Sequence, residues 1–244
     1  MLNQQMVHII AKNDQLLVAI GIILTFNMAM QIINSVSTFY FIYVAGSKTM
    51  FSVFTMFAGF AEIFGLFIYP KMVQKFSRSM VYAASCITPV AGLVVLLVTG
   101  YIMPQNVLFT AAAGILVKFG SGLQLGSATV LLSDVVDYGE YKFGTRNESV
   151  TFSIQTLMVK FSSAMGALLT GAALDLTGYV PNAGQSSGTF MGMGIIMILI
   201  PIIFSIISYC IYKKFFKLTG EYYERIKNIL TLRRNGETET SEIN

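Results

Sequence analysis

The sequence predicts an all-α membrane protein with six transmembrane helices. Three observations predict this. The 244 residues are 55% hydrophobic and only 11% charged, whereas soluble domains carry about 25% charge. Six stretches reach the ~20 mostly apolar residues that a helix needs to cross a bilayer: 16–43, 49–69, 80–100, 106–133, 149–174 and 189–212. The basic residues crowd into alternate loops. A soluble chain of this composition would have to bury nearly every helix on all sides in one core.

The boundaries of the spans have local causes. Asn13-Asp14 offers an N-cap to the first, because a short polar side chain accepts from an unpaired N–H of the first turn. Gly46-Ser47-Lys48 turns the chain into the second, and Pro70-Lys71 is expected to end it, since proline cannot continue the hydrogen-bond ladder. Gly100 to Pro104 separates the third span from the fourth, and Gly178 to Gly184 the fifth from the sixth.

Lys and Arg set the orientation. Lys12, Lys71, Lys75, Arg78, Lys142, Arg146, Lys213, Lys214, Lys217, Arg225, Lys227, Arg233 and Arg234 fall on one side, which is thirteen of the sixteen; Lys48 alone falls on the other, and Lys118 and Lys160 lie within spans. Both termini are therefore expected in the cytoplasm of a multi-pass cell-membrane protein. Residues 1–13 read as a cytoplasmic linker, 14–213 as the helical bundle and 214–244 as a cytoplasmic tail. In that tail 221–232 reads as an amphipathic helix on the membrane surface and 235–244 as disordered. The start, MLNQQMVHIIAKNDQ, has no signal-peptide pattern and no lipidation motif.

Several function classes lose support. His8 is the single histidine and precedes the first span, and Cys86 and Cys210 sit in apolar runs without metal-ligand spacing. Histidine catalysis and a metal site in this chain are not expected, nor is an enzyme, because no nucleophile–base pair stands at a helix end. Neither a cofactor nor a nucleic-acid partner is implied, since the net charge of +4 belongs to loops beside the bilayer.

The spans differ in polarity. The third and sixth are nearly all apolar. In the first, Asn27, Gln31, Asn34 and Thr38 share one face by their spacing, and in the fifth Ser149, Ser153, Thr156, Lys160 and Ser163 do the same. Two readings fit such stripes: a polar cavity with the bare helices toward lipid, or hydrogen-bond glue between helices. Lys160 lies about 11 residues into its span, roughly 16 Å into a ~30 Å core. An ionised lysine there costs at least ~2.5 kcal/mol and should face a partner or water. Glu62 and Lys118 sit at similar depths in the second and fourth spans, where they can form an ion pair with either a structural or a transport role.

Asp134, Asp137, Glu140 and Glu148 alternate with Lys142 and Arg146 between the fourth and fifth spans. Such a cluster is either a solvated loop or a salt-bridge gate that breaks in another conformation.

The run DVVDYGEYKFGTRNES, followed by SIQTLMVK and GYVPN, with PKMVQKFSR earlier, resembles the glycoside–pentoside–hexuronide:cation symporters, and is most similar to the melibiose carriers. Those carriers belong to the major facilitator superfamily and have twelve helices in two halves. The likeness covers almost the whole chain and corresponds to helices seven to twelve. It implies that the third and sixth helices are peripheral and that the others line a sugar path. It implies substrate contacts at Lys160, Thr156 and Gln155, and a cytoplasmic gate at Asp134, Asp137 and Arg146, beside Glu140 and Lys142; Asn34, Gln31 and Asn27, by their shared face, are expected as additional substrate contacts. The coupling cation (Na+, H+ or Li+) and the main sugar-binding acids would lie in a missing N-terminal six-helix half. Melibiose carriers set a helix-ten tryptophan against the sugar ring; this chain has no tryptophan, and Leu125 stands near that place. The resemblance thus implies half of a sugar symporter in the lipid bilayer. The alternative is a truncated, non-transporting remnant or one subunit of a split carrier.

Overall fold

The computed structural model describes residues 12–103, 105–181 and 184–235. His8, Pro104 and the tail from residue 236 onward lie outside them. Among the described residues, six helices are long and apolar enough to span a membrane. They are α1 Asp14–Val44, α2 Lys48–Lys75, α3 Arg78–Tyr101, α4 Val107–Phe143, α5 Glu148–Leu176 and α6 Ser187–Phe215. A seventh, α7 Gly220–Asn235, follows.

Local chemistry sets the ends. The Asn13 side chain accepts from the Leu16 N–H at 3.0 Å. Ser47 and Ser77 cap α2 and α3 through the Met50 and Met80 N–H groups, and Asn106 caps α4 through those of Leu108 and Phe109. Gly144 ends α4 in the left-handed region at φ +70°, which a side chain rarely adopts. The last turn of α1, Tyr40–Val44, is a wide π turn, as is Ile195–Leu199 just before Pro201 in α6.

Two boundaries correct the sequence reading. Pro70 does not end α2, which runs through it to Lys75. Proline removes one bond and kinks a helix, and a bilayer offers the backbone no better alternative partner than the helix itself. Likewise α4 does not stop at residue 133. It continues to Phe143, so Asp134, Asp137 and Glu140 stand on its last turns and not in a loop. Its 37 residues extend about 55 Å, well beyond a ~30 Å core. The extension is kept by its apolar side, since Leu131, Leu132, Val135, Val136 and Tyr138 are buried.

α1 and α4 form the centre of the bundle. α2 and α3 pack on α4, α5 and α6 pack on α1, and α3 meets α6 at the back. The two three-helix units thus exchange partners: the second and third helices of each lie against the first helix of the other. Small residues let backbones touch. A Cβ added at Gly122 would overlap the Glu62 carbonyl oxygen, and one at Gly65 the Phe119 carbonyl oxygen, so α2 and α4 cross in direct contact.

α3 and α6 leave apolar outer faces exposed at Ile87, Val94, Ile203 and Ile206 and bury Tyr82, Ser85, Ser205 and Ser208 on their inner sides. The widely exposed helices are α2, with Phe60 and Phe67 bare, and α5, with Leu157, Leu168 and Leu176 bare. The helix after α6 does not rest its apolar face on the membrane surface. Tyr223, Ile226 and Leu230 of α7 are buried in the main core, and α7 packs on α4.

Candidate functional site

Four helices line an open concavity of about 170 Å³. α1 contributes Ile23, Phe26, Asn27, Met30, Gln31 and Asn34; α2 contributes Glu62; α4 contributes Lys118, Ser121, Gln124, Leu125 and Ala128; α5 contributes Gln155 and Val159. No lining residue comes from α3 or α6 among those described. The residues follow from helical spacing. Asn27, Gln31 and Asn34 recur at four and three on α1, and Lys118, Ser121, Leu125 and Ala128 at three, four and three on α4.

The amides are partly committed. Asn27 Nδ2 donates to the Ile23 carbonyl at 2.8 Å, which leaves its oxygen to the concavity. Asn34 Nδ2 donates to Gln31 Oε1 at 3.3 Å. Gly166 of α5 seats against Gln31, where a Cβ would lie 2.8 Å from the Gln31 Cβ; this close approach brings α5 and Gln155 to the pocket wall. Gln124 is held from behind. Ser85 Oγ donates to Gln124 Oε1 at 2.7 Å, and Gln124 Nε2 donates to Tyr82 Oη at 3.4 Å. Tyr82 Oη then meets Ser208 Oγ at 2.8 Å, and Ser208 donates to the Ile22 carbonyl at 3.0 Å. A buried polar chain therefore ties the pocket wall to α3, α6 and α1.

Glu62 and Lys118 face each other across the α2–α4 crossing. Lys118 Nζ lies 3.4 Å from both Glu62 oxygens, and Ser121 Oγ donates to Glu62 Oε1 at 2.6 Å.

The structure separates Lys160 and Thr156 from this concavity. Gln155 and Val159 share the stripe of α5 that faces α1, and Thr156 and Lys160 occupy the next stripe, about 100° round the helix. Both are exposed, as are Ser149, Ser153 and Ser163. Thr156 Oγ1 and Ser153 Oγ turn back to the Phe152 and Ser149 carbonyls. So the α5 stripe is real as a face, and none of the other described helices covers it.

At the basic end of the bundle, the predicted charges fall into three sets and not one loop network. Arg78 Nη1 donates to Asp134 Oδ2 at 2.8 Å, and Asp134 is almost fully buried. Arg146 joins Asp137 at 2.7 Å, Glu140 at 3.1 Å and Glu148 at 3.3 Å. Arg234 from α7 reaches Glu140 at 2.6 Å and Asp137 at 3.7 Å. Lys142 turns away to Asp14 at 2.8 Å. Hydrogen bonds to Asp137 and Glu140 raise Arg146 further above its ordinary range, so its charge is fixed. Burial, then Asp134 and Asp137, pushes the Tyr223 phenol up, and it donates to Asp137 Oδ2 at 3.1 Å as a neutral group.

Sequence reasoning missed Ser121 and Gln124 in the pocket, and Arg78, Asp14, Tyr223 and Arg234 at the basic end. The first two carried a signal in their register with Lys118. The others did not, because their partners are remote in the chain. Among the described residues no group of three or more His, Cys, Asp or Glu side chains gathers as a metal ion requires.

The family described as MFS/sugar transport protein matches residues 2–220. The chain belongs to this family. It is a multi-pass membrane protein, as its six spans require. The raffinose carrier protein of Pediococcus pentosaceus is 27% identical over 220 residues, covering 89% of this chain and 34% of the carrier. A putative sulfoquinovose importer of Escherichia coli K12 is 28% identical over 233 residues, covering 96% of this chain and 49% of the importer. The isoprimeverose transporter of Lactiplantibacillus pentosus is 26% identical over 176 residues, covering 72% of this chain and 36% of the transporter. These relatives are named for transport and not for catalysis. The chain spans about half, or less, of the length of each.

Proposed function

We propose that this chain is the C-terminal half of a sugar:cation symporter of the cell membrane, with both ends in the cytoplasm, and that it works by alternating access. The observation that carries this reading is the uncovered polar stripe of α5. Ser149, Ser153, Thr156, Lys160 and Ser163 are exposed along a membrane-spanning helix. Lys160, near the middle of the helix, has no hydrogen-bond or ion-pair partner among the described residues. An ionised lysine and four hydroxyls are costly against lipid. A second six-helix half laid over α2 and α5 would cover them and close the concavity into a substrate site at a repeat interface.

In this reading the amides of Asn27, Gln31, Asn34 and Gln155 bind sugar hydroxyls over an apolar floor that includes Leu125, and Lys160 and Thr156 meet the substrate from the half-interface. The names of the relatives support a glycoside as cargo. Na+, H+ or Li+ would be held mainly by the second half, with Lys160 standing in for its charge when that site is empty. The pairs of Asp134, Asp137, Glu140 and Arg146, with Lys142 on Asp14, would close the cytoplasmic side and part when it opens.

The test is to co-produce this chain with the first six helices of a matched relative and to measure uptake of raffinose, isoprimeverose and sulfoquinovose into vesicles under an imposed cation gradient. Uptake that needs both halves and collapses with the gradient supports the reading. Absence of uptake with every sugar would favour a non-transporting remnant.

A further inference from the structure

We propose that Glu62 and Lys118 form a diol clamp that selects neutral sugars over acidic ones at the pocket. The inference rests on the transport reading above and adds a substrate class to it. The resemblance places the main sugar-binding acids in the other half; this pair lies inside the half in hand and within the same concavity as the amides.

The geometry gives each member an unused capacity. Glu62 Oε1 is committed to Ser121 at 2.6 Å, while Oε2 accepts from Lys118 alone at 3.4 Å. Charge-assisted N–H···O bonds close to about 2.7–2.9 Å, so the ammonium holds neither oxygen tightly. It has three donors and no other partner among the described residues. A vicinal diol can bridge them from the concavity, with one hydroxyl donating to Glu62 Oε2 and its neighbour accepting from Lys118 Nζ. Ser121 and the direct α2–α4 contact at Gly122 fix the carboxylate, so little ordering is left for the ligand to impose.

The order of exposure decides the sign of the preference. The Glu62 side chain is 38% exposed and that of Lys118 15%. Both residues line the concavity, and the Glu62 side chain is the more open of the two to an approaching group. A hydroxyl pair is accepted on both. A carboxylate or sulfonate meets a like charge in a partly desolvated site, which disfavours it.

The experiment measures equilibrium binding of raffinose, isoprimeverose and sulfoquinovose to the full chain, co-produced with a matched six-helix half and held in nanodiscs. Wild type is expected to bind a neutral sugar at least ~10-fold tighter than sulfoquinovose, and Glu62→Gln to remove most of that difference, both by weakening the neutral sugar and by relieving the repulsion on sulfoquinovose. The double variant Glu62→Lys/Lys118→Glu keeps a pair at the crossing and controls for folding through its thermal unfolding. It is expected to unfold near wild type and to shift preference toward sulfoquinovose. Tighter wild-type binding of sulfoquinovose, or a neutral preference unchanged in both variants, overturns the clamp and leaves the transport reading standing. No binding of any sugar by wild type overturns both.

Discussion

Arg78 at the first turn of α3 donates to Asp134 nine residues before the end of α4, at 2.8 Å and across 56 residues of chain. The Asp134 side chain is 5% exposed and that of Arg78 40%. The two members are therefore unequal. Removal of Arg78 strands a carboxylate in the interior, whereas removal of the Asp134 charge leaves a cation that can reach water. Arg78→Ala should lower stability by about 1–3 kcal/mol and Asp134→Asn by less. The double variant should recover part of the Arg78→Ala loss. Thermal unfolding in detergent reads all three.

The α2–α4 crossing should be intolerant of added carbon. At Gly122 and Gly65 a Cβ meets backbone, whereas at Gly59, on the same α2 as Gly65, it meets nothing within 4 Å. Gly122→Ala should cost about 1–3 kcal/mol by forcing the helices apart, and would also loosen Glu62 from Ser121. Gly59→Ala should be neutral or slightly stabilising, because alanine is the better helix former. Comparison of their unfolding temperatures checks the close contact.

In α7, packing should outweigh charge. Ile226 is 2% exposed and lies in the main core, so Ile226→Ala should cost about 2–4 kcal/mol. The Arg234 side chain is 52% exposed although it sits 2.6 Å from Glu140, and exposed pairs are worth under ~1 kcal/mol. Arg234→Ala should therefore barely change unfolding. Protease sensitivity after α6 should rise in Ile226→Ala and stay low in Arg234→Ala.

Much of this fold was legible in the chain. All six spans carry their own signal, because hydropathy is local and bilayer thickness sets a minimum length. The stripes on α1 and α5 were legible for a similar reason, since helical spacing alone puts Asn27 with Gln31 and Thr156 with Lys160. The ends were less so. Charge at Asp134 reads as the end of a membrane span, and nothing nearby says that α4 goes on, because its support comes from α7 and α1. Proline at position 70 reads as a stop when the cost of leaving a helix within lipid is not counted. Ionic partners were the least legible. Asp134 lies near Arg146 in sequence, yet the fold gives it to Arg78, and Glu140 gains Arg234 from 94 residues away. Of the three α5 residues named as substrate contacts, Gln155 lines the pocket, whereas Thr156 and Lys160 lie on the adjacent stripe.

Lys160 offers a separation of function from stability. It is exposed and has no hydrogen-bond or ion-pair partner among the described residues, so Lys160→Met should not lower the unfolding temperature of the chain alone and should raise its membrane-insertion efficiency. With the second half supplied, the same change should reduce sugar uptake at least ~10-fold. A loss of stability with unchanged uptake would assign Lys160 a structural role.

Substrate protection of a cysteine in the concavity tests the central claim most directly. Gln155→Cys, in a chain with Cys86→Ala and Cys210→Ala, would be alkylated in vesicles that hold both halves, with and without raffinose or isoprimeverose, beside an exposed control at Leu176→Cys. The expected result is that at least one sugar slows labelling at position 155 several-fold and leaves position 176 unchanged. Equal labelling at position 155 with and without every transported sugar would contradict the assignment of this four-helix pocket as the sugar site.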